Sequence, residues 1–73
     1  MPRYVVQRYH NAERLGRAIE VEALSERTAA ETILGEALID GDLTGRLAAE
    51  VYPSHIPGDK HRFSRPSRRE RHA

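Results

Sequence analysis

The 73-residue sequence contains no cysteine and no tryptophan. Small secreted domains are usually held together by disulfides, so the absence of cysteine favours a reducing compartment, and we expect a cytoplasmic protein. The first residues, Met-Pro-Arg-Tyr, lack the basic and then apolar pattern of a signal peptide. No stretch approaches the roughly 20 apolar residues that span a bilayer, so we expect no membrane association.

Lysine is almost absent as well, since eleven of the twelve basic residues are arginine. This bias, together with the many alanines, indicates a GC-rich genome and favours a bacterial or phage origin. Residues 1–52 carry six arginines against nine acidic residues, a net charge of −3, and residues 53–73 carry six basic against two acidic residues, a net charge of +4. The formal net charge of +1 therefore combines an acidic body with a basic C-terminal segment.

The short chain limits the size of the hydrophobic core. A chain of this length buries only about 60% of its unfolded surface, so it has room for one thin core and no second domain. We predict a single compact domain over residues 1–66. We expect a monomer or a homodimer, the latter being a way to bury more surface.

Alternating and β-branched residues predict strands in four places: residues 3–9, 17–24, 46–52 and 61–65. The polar residues between the first two strands indicate a hairpin connection, into which the strands extend some way. Pro53 ends the third strand. In the fourth strand we expect Phe63 to point inward.

One helix is predicted between the second and third strands. Ser25 is a suitable N-cap, and the apolar stripe that follows has helical spacing. The stripe predicts that Ile33 and Leu34 are buried against the sheet. Gly35 ends a short helix as its C-terminal cap, or lies inside a longer helix that reaches residue 39; the continuing stripe favours the longer helix.

The element order β-β-α-β-β predicts an α+β fold, a small mainly antiparallel sheet with the helix packed on one face. Residues 67–73 contain no apolar residue except Ala73. We therefore expect a disordered, arginine-rich C-terminal tail.

No pattern in the sequence supports catalysis, a cofactor or a metal. There is no Gly-x-Ser-x-Gly motif, and Ser54-His55 is typical of a plain loop. The junction between strand and helix has no glycine-rich loop for a phosphate. His55 and His61 flank a turn and can approach each other, but their spacing fits surface histidines better than a metal site. We predict no enzyme activity, no cofactor and no metal.

A basic cluster gives the one positive signal for a chemical class of ligand. It consists of Arg62, Arg65, Arg68, Arg69 and Arg71. Guanidinium groups bind phosphates, so these five residues are candidate nucleic-acid contacts. The competing interpretation is that an arginine-rich tail only aids solubility.

We interpret the chain as a small non-enzymatic interaction or regulatory module with a protein partner. It would bind through a sheet face, a strand edge or the tail, and strand addition at an exposed edge is a low-cost mode. The alternative is a nucleic-acid-binding accessory protein that uses the basic cluster. Tyr4, Tyr9, Tyr52 and Phe63 all fall on predicted strands, and any of them on the outer face of the sheet would be able to stack on bases or anchor a protein partner. We favour the interpretation that they fill the edges of a thin core, more strongly for Phe63 than for Tyr9 and Tyr52.

Overall fold

The computed structural model describes residues 1–10, 12–43 and 45–66, and the predicted tail at residues 67–73 lies outside this part. The described elements, in chain order, are β1 (Arg3–His10), β2 (Glu13–Glu22), α1 (Glu26–Leu34), β3 (Ile39–Asp40), β4 (Leu47–Pro53) and β5 (His61–Ser64). The strands form one sheet in the order β2-β1-β4-β5-β3, and every pairing is antiparallel. The predicted antiparallel α+β architecture is confirmed. Among the described residues no helix is long and apolar enough to cross a membrane.

Helix α1 packs on one face of the sheet and closes the core. Val6 and Val51 face each other on adjacent strands and are fully buried beneath the helix. The core also contains buried alanines from α1 and β4, which allow the helix to approach the sheet closely. Phe63 is 5% exposed, which confirms that it points inward.

The start of α1 is as predicted from Ser25. The Ser25 hydroxyl accepts a hydrogen bond from the Thr28 backbone N–H at 3.2 Å, and Glu26 occupies the first turn. One otherwise unpaired N–H of the helix start is thereby satisfied.

The prediction that α1 continues to residue 39 is wrong. The helix ends at Leu34, and Gly35 adopts the left-handed conformation at φ 72°, with its N–H bonded to the Glu31 carbonyl. Leu38 still reaches the core because its backbone N–H donates to the Glu31 carboxylate at 2.9 Å. The apolar stripe therefore continues beyond the helix in a loop.

Two further differences concern the sheet and the helix surface. A fifth strand, the two-residue β3, pairs with β5 at the sheet edge, where the sequence predicted none. Ile33 and Leu34 are half-buried against the core and not fully buried, because α1 stops at this level.

Arg27 Nη2 contacts Asp40 Oδ1 at 2.8 Å and links α1 to β3. The hydrogen bond to Asp40 and then its negative charge raise the pKa of Arg27.

Candidate functional site

The face of the sheet opposite α1 is uncovered in the described part of the chain. Strand alternation places Val5 and Gln7 of β1, and Glu50 and Tyr52 of β4, on this open face. Tyr52 and Tyr9 are half-buried here, whereas Tyr4 and Phe63 belong to the core. The interpretation of strand aromatics as core residues is therefore confirmed for Tyr4 and Phe63 only.

The open face contains a shallow concavity of about 170 Å³. Its walls come from β1, β2, β4 and the β4–β5 loop, and are formed by Gln7, Arg14, Ala18, Glu50, Tyr52, Pro57 and Lys60. Both signs of charge are present, and no serine, threonine, cysteine or histidine is among these residues. The concavity therefore offers both charged and polar groups to a ligand.

Glu50 is the centre of an ion-pair network on this face. Its carboxylate lies 3.2 Å from Arg62 Nε and 4.0 Å from Lys60 Nζ, and its side chain is only 10% exposed. Arg62 also contacts Asp42 at 3.2 Å. The hydrogen bond to Glu50, and then the charges of Glu50 and Asp42, raise the pKa of Arg62.

The predicted basic cluster is only partly within the described residues. Arg62 is paired with Glu50 and Asp42, and Arg65 Nε lies 3.2 Å from a Glu36 carboxylate oxygen. Arg68, Arg69 and Arg71 lie outside the described residues. The two described arginines thus already have anionic partners within the domain, and the nucleic-acid role of all five stays a prediction.

The outer edge of β2 is the longest strand edge without a partner in the described sheet. The Ala23 backbone N–H donates to the Pro2 carbonyl at 3.1 Å. Every second residue of β2 before Ala23 therefore also directs its backbone N–H and C=O toward β1. On β1, the Arg3 carbonyl accepts a hydrogen bond from the Ser54 backbone N–H, on the β4 side, at 2.9 Å. Arg3 is paired with Glu22 in register, so the Glu22 peptide group points away from the sheet, as does that of Glu20 two residues earlier.

The β2 edge has two different sides. Glu20 and Glu22 are exposed on the open face, each near Arg3, at 3.8 and 3.5 Å. Ile19 and Val21 are half-buried on the helix side. Leu24, which follows the strand, is 76% exposed. The flat part of this edge is short, because an irregularity opposite Gln7 separates the Val6–Ile19 pair from the next regular pairing.

A second cluster joins three elements that are distant in sequence. His61 Nε2 lies 3.4 Å from Glu26 Oε2 at the start of α1 and 3.3 Å from Asp59 Oδ1 in the β4–β5 loop. The three ligand atoms lie within 4.8 Å of one another. His55 is exposed and does not belong to this cluster. Sequence reasoning missed the cluster because no local spacing connects Glu26 to the other two residues.

Comparisons with protein-family models, with curated proteins and with solved structures find no match to this chain. Any function must therefore be argued from its own surface.

Proposed function

We propose that this chain is a non-enzymatic interaction module that binds an extended segment of a protein partner by strand addition at β2. The docking edge is the outer side of residues 18–22. The observation that carries the proposal is the outward direction of the Glu20 and Glu22 peptide groups, which have no strand beside them in the described part of the chain. An added strand satisfies these groups and gains main-chain hydrogen bonds.

The side chains along the docking edge favour a partner with alternating character. A residue that packs beside Ile19 and Val21 covers half-exposed apolar surface, and Leu24 extends this surface beyond the strand end. On the other side, Glu20 and Glu22 favour basic residues directly opposite. The expected partner segment therefore alternates apolar and basic residues.

Arg3 does not prevent a basic residue of the partner from pairing with Glu20 or Glu22. Its contacts with Glu20 and Glu22 are long, and all three side chains are half or more exposed. Exposed ion pairs contribute at most about 1 kcal/mol, so a basic residue of the partner displaces Arg3 at little cost.

Charge also disfavours a second copy of the chain as the occupant. Antiparallel self-pairing centred on Val21 would set Glu20 of one copy opposite Glu22 of the other. Like charges directly opposite destabilise a strand pair. The occupant that fits is a different chain.

The experiment titrates the ¹⁵N-labelled chain with a synthetic peptide of alternating lysine and valine and follows backbone amide shifts. We expect the largest shifts at residues 18–22. Glu20→Pro removes one outward N–H and should abolish binding, whereas the matched control Glu20→Ala keeps the N–H and retains most of it. Glu20→Lys with Glu22→Lys should reject this peptide and bind a glutamate–valine peptide.

Shifts confined to the open face, or equal binding by Glu20→Pro and Glu20→Ala, would contradict strand addition. A parallel titration with a single-stranded oligonucleotide tests the alternative. The ion pairs of Arg62 and Arg65 with Glu50 and Glu36 lower the positive charge that these residues offer to phosphate.

The cytoplasmic location and the bacterial or phage origin stay predictions.

A further inference from the structure

The cluster of Glu26, Asp59 and His61 is held by three separately fixed backbone segments. Glu26 is in the first turn of α1, whose start is capped by Ser25. Asp59 is in the β4–β5 loop, where its backbone N–H donates to the Ile56 carbonyl at 3.1 Å. His61 begins β5, in register with Val51 of β4. The three side chains therefore converge without depending on a single flexible segment.

Two carboxylate oxygens share one ring nitrogen in this cluster. Glu26 Oε2 and Asp59 Oδ1 lie 3.4 and 3.3 Å from the same atom, His61 Nε2. An imidazole nitrogen carries at most one hydrogen, even when the ring is protonated, so it cannot donate a full hydrogen bond to both oxygens. A cation placed between the three atoms would satisfy all of them at once.

The distances also fit a particular cation. Zn²⁺ binds imidazole nitrogen and carboxylate oxygen at about 2.0–2.2 Å in tetrahedral geometry, which sets neighbouring ligand atoms about 3.3–3.6 Å apart. The two distances from Nε2 lie in or at the edge of this range, and Glu26 Oε2 lies within 4.8 Å of Asp59 Oδ1. We propose that Glu26, Asp59 and His61 form a surface Zn²⁺ site with water in the fourth position. This proposal is independent of strand addition at β2.

The charges at the site favour a divalent ion. The N-terminus of α1 contributes roughly half a positive charge, which opposes cation binding. The two carboxylates contribute two negative charges and outweigh it. His61 and Asp59 are 46% and 52% exposed, so the ion can enter from solvent and keep its water ligand.

Bound zinc would connect the start of α1 to the β4–β5 loop. Because the unfolded chain does not hold these three groups together, binding should stabilise the folded state. The site therefore gives a small, disulfide-free domain a metal-dependent increase in stability.

The test is calorimetric titration of chelator-treated, full-length chain with Zn²⁺ at neutral pH, together with thermal unfolding. We expect one zinc per chain and a melting temperature that rises with zinc and returns when chelator is added. His61→Gln and Asp59→Asn should each weaken binding by about tenfold or more, and His55→Gln, in the same loop, should not change it. Circular dichroism checks that each variant is folded.

Side-chain ¹⁵N spectra identify the histidine that binds, and we expect the zinc-dependent shift at His61 Nε2. Unchanged affinity in His61→Gln, or a shift at another histidine only, would overturn the proposal. Equal binding of Mg²⁺ would also overturn it, because Mg²⁺ prefers oxygen ligands and octahedral geometry.

Discussion

Arg62 Nε lies 3.2 Å from Glu50 Oε2 and joins β5 to β4 across the open face of the sheet. The two partners differ in exposure, because the Arg62 side chain is 52% exposed and the Glu50 side chain only 10%. The buried carboxylate depends on Arg62, because without it Glu50 keeps only the longer contact with Lys60 Nζ at 4.0 Å, whereas an exposed cation without its carboxylate is still solvated by water.

This asymmetry predicts different effects for the two truncations. Arg62→Ala should destabilise the domain more than Glu50→Ala, and the double variant should be more stable than Arg62→Ala alone. Urea unfolding of the three variants measures the order. Arg3→Ala, which removes only exposed ion pairs, is the control and should have little effect.

The pH dependence of this contact follows from the raised pKa of Arg62. A raised folded-state pKa contributes stability that is present below the unfolded-state pKa and is lost only as the pH rises through the folded-state value. For an arginine this range lies far above neutral. The destabilisation by Arg62→Ala should therefore not change between about pH 7 and 9, and a steep change there would contradict the assignment.

The Ser25 cap predicts a second pair of variants. Ser25→Ala removes the acceptor of the Thr28 N–H and should cost about 1 kcal/mol, whereas Ser25→Asp keeps an acceptor at the positive helix end and should cost almost nothing. Thermal unfolding measures both. Equal effects of the two substitutions would show that this hydrogen bond does not stabilise α1.

Local patterns predicted Ser25, Phe63 and the first hairpin, because each depends on neighbours in sequence. The end of α1 was not predictable in this way. Leu38 continues the apolar stripe, yet it reaches the core through a loop that the Glu31 carboxylate holds by a contact seven residues away. Strand β3 has only two residues, too few for an alternating pattern, and it exists because Ile39 pairs with Ser64 of β5.

The candidate sites were less predictable than the fold. Strand addition was among the expected binding modes, but which edge lacks a partner depends on the strand order, and the sequence does not encode that order locally. The three residues of the proposed zinc site come from a helix start, a loop and a strand start. Their convergence is a property of the tertiary structure.

The different burial of Leu38 and Ile33 predicts different effects when each is truncated to alanine. Leu38 is 3% exposed, so Leu38→Ala should cost about 2–5 kcal/mol, enough to threaten a domain of this size. Ile33 is only half-buried, and Ile33→Ala should cost about half as much. Denaturant unfolding compares them. An Ile33→Ala variant less stable than Leu38→Ala would show that α1 is rotated relative to the sheet.

Gly16 and Gly35 share a left-handed conformation, with φ 64° and 72°, but differ in their surroundings, and this predicts different effects of substitution by alanine. An added Cβ at Gly35 meets no atom within 4 Å, whereas at Gly16 it would lie 2.9 Å from Arg8 Nη2. Gly35→Ala should therefore cost the backbone strain alone, about 1–2 kcal/mol. Gly16→Ala should cost only slightly more, because Arg8 Nη2 is the end of a flexible side chain that can move aside.

Whether Arg8 causes the additional destabilisation by Gly16→Ala can be tested by removing the Arg8 side chain. Arg8 Nε is buried and has no hydrogen-bond partner in the described part of the chain, so the packing of this guanidinium over Gly16 is the contact at risk. In an Arg8→Ala background the cost of Gly16→Ala should fall to that of Gly35→Ala. A cost that stays the same in both backgrounds would mean that Arg8 does not cause the excess.

The last prediction concerns residues 67–73 and tests the nucleic-acid alternative. It depends on the sequence alone, which offers no apolar side chain there except that of Ala73 to offset the entropy of ordering. Removal of these residues should leave the melting temperature almost unchanged. If the basic cluster binds nucleic acid, the truncation should also weaken binding, and each lost phosphate contact should lower the slope of log K against log salt by roughly 0.7–0.9. A matched variant with Arg68, Arg69 and Arg71 changed to Gln keeps the length and removes the charge, so it separates charge from chain length. Intact chain that does not bind oligonucleotide at low salt, or truncated chain that binds it as before, would rule out a tail-dependent nucleic-acid role, and strand addition at β2 would remain as the binding mode to test.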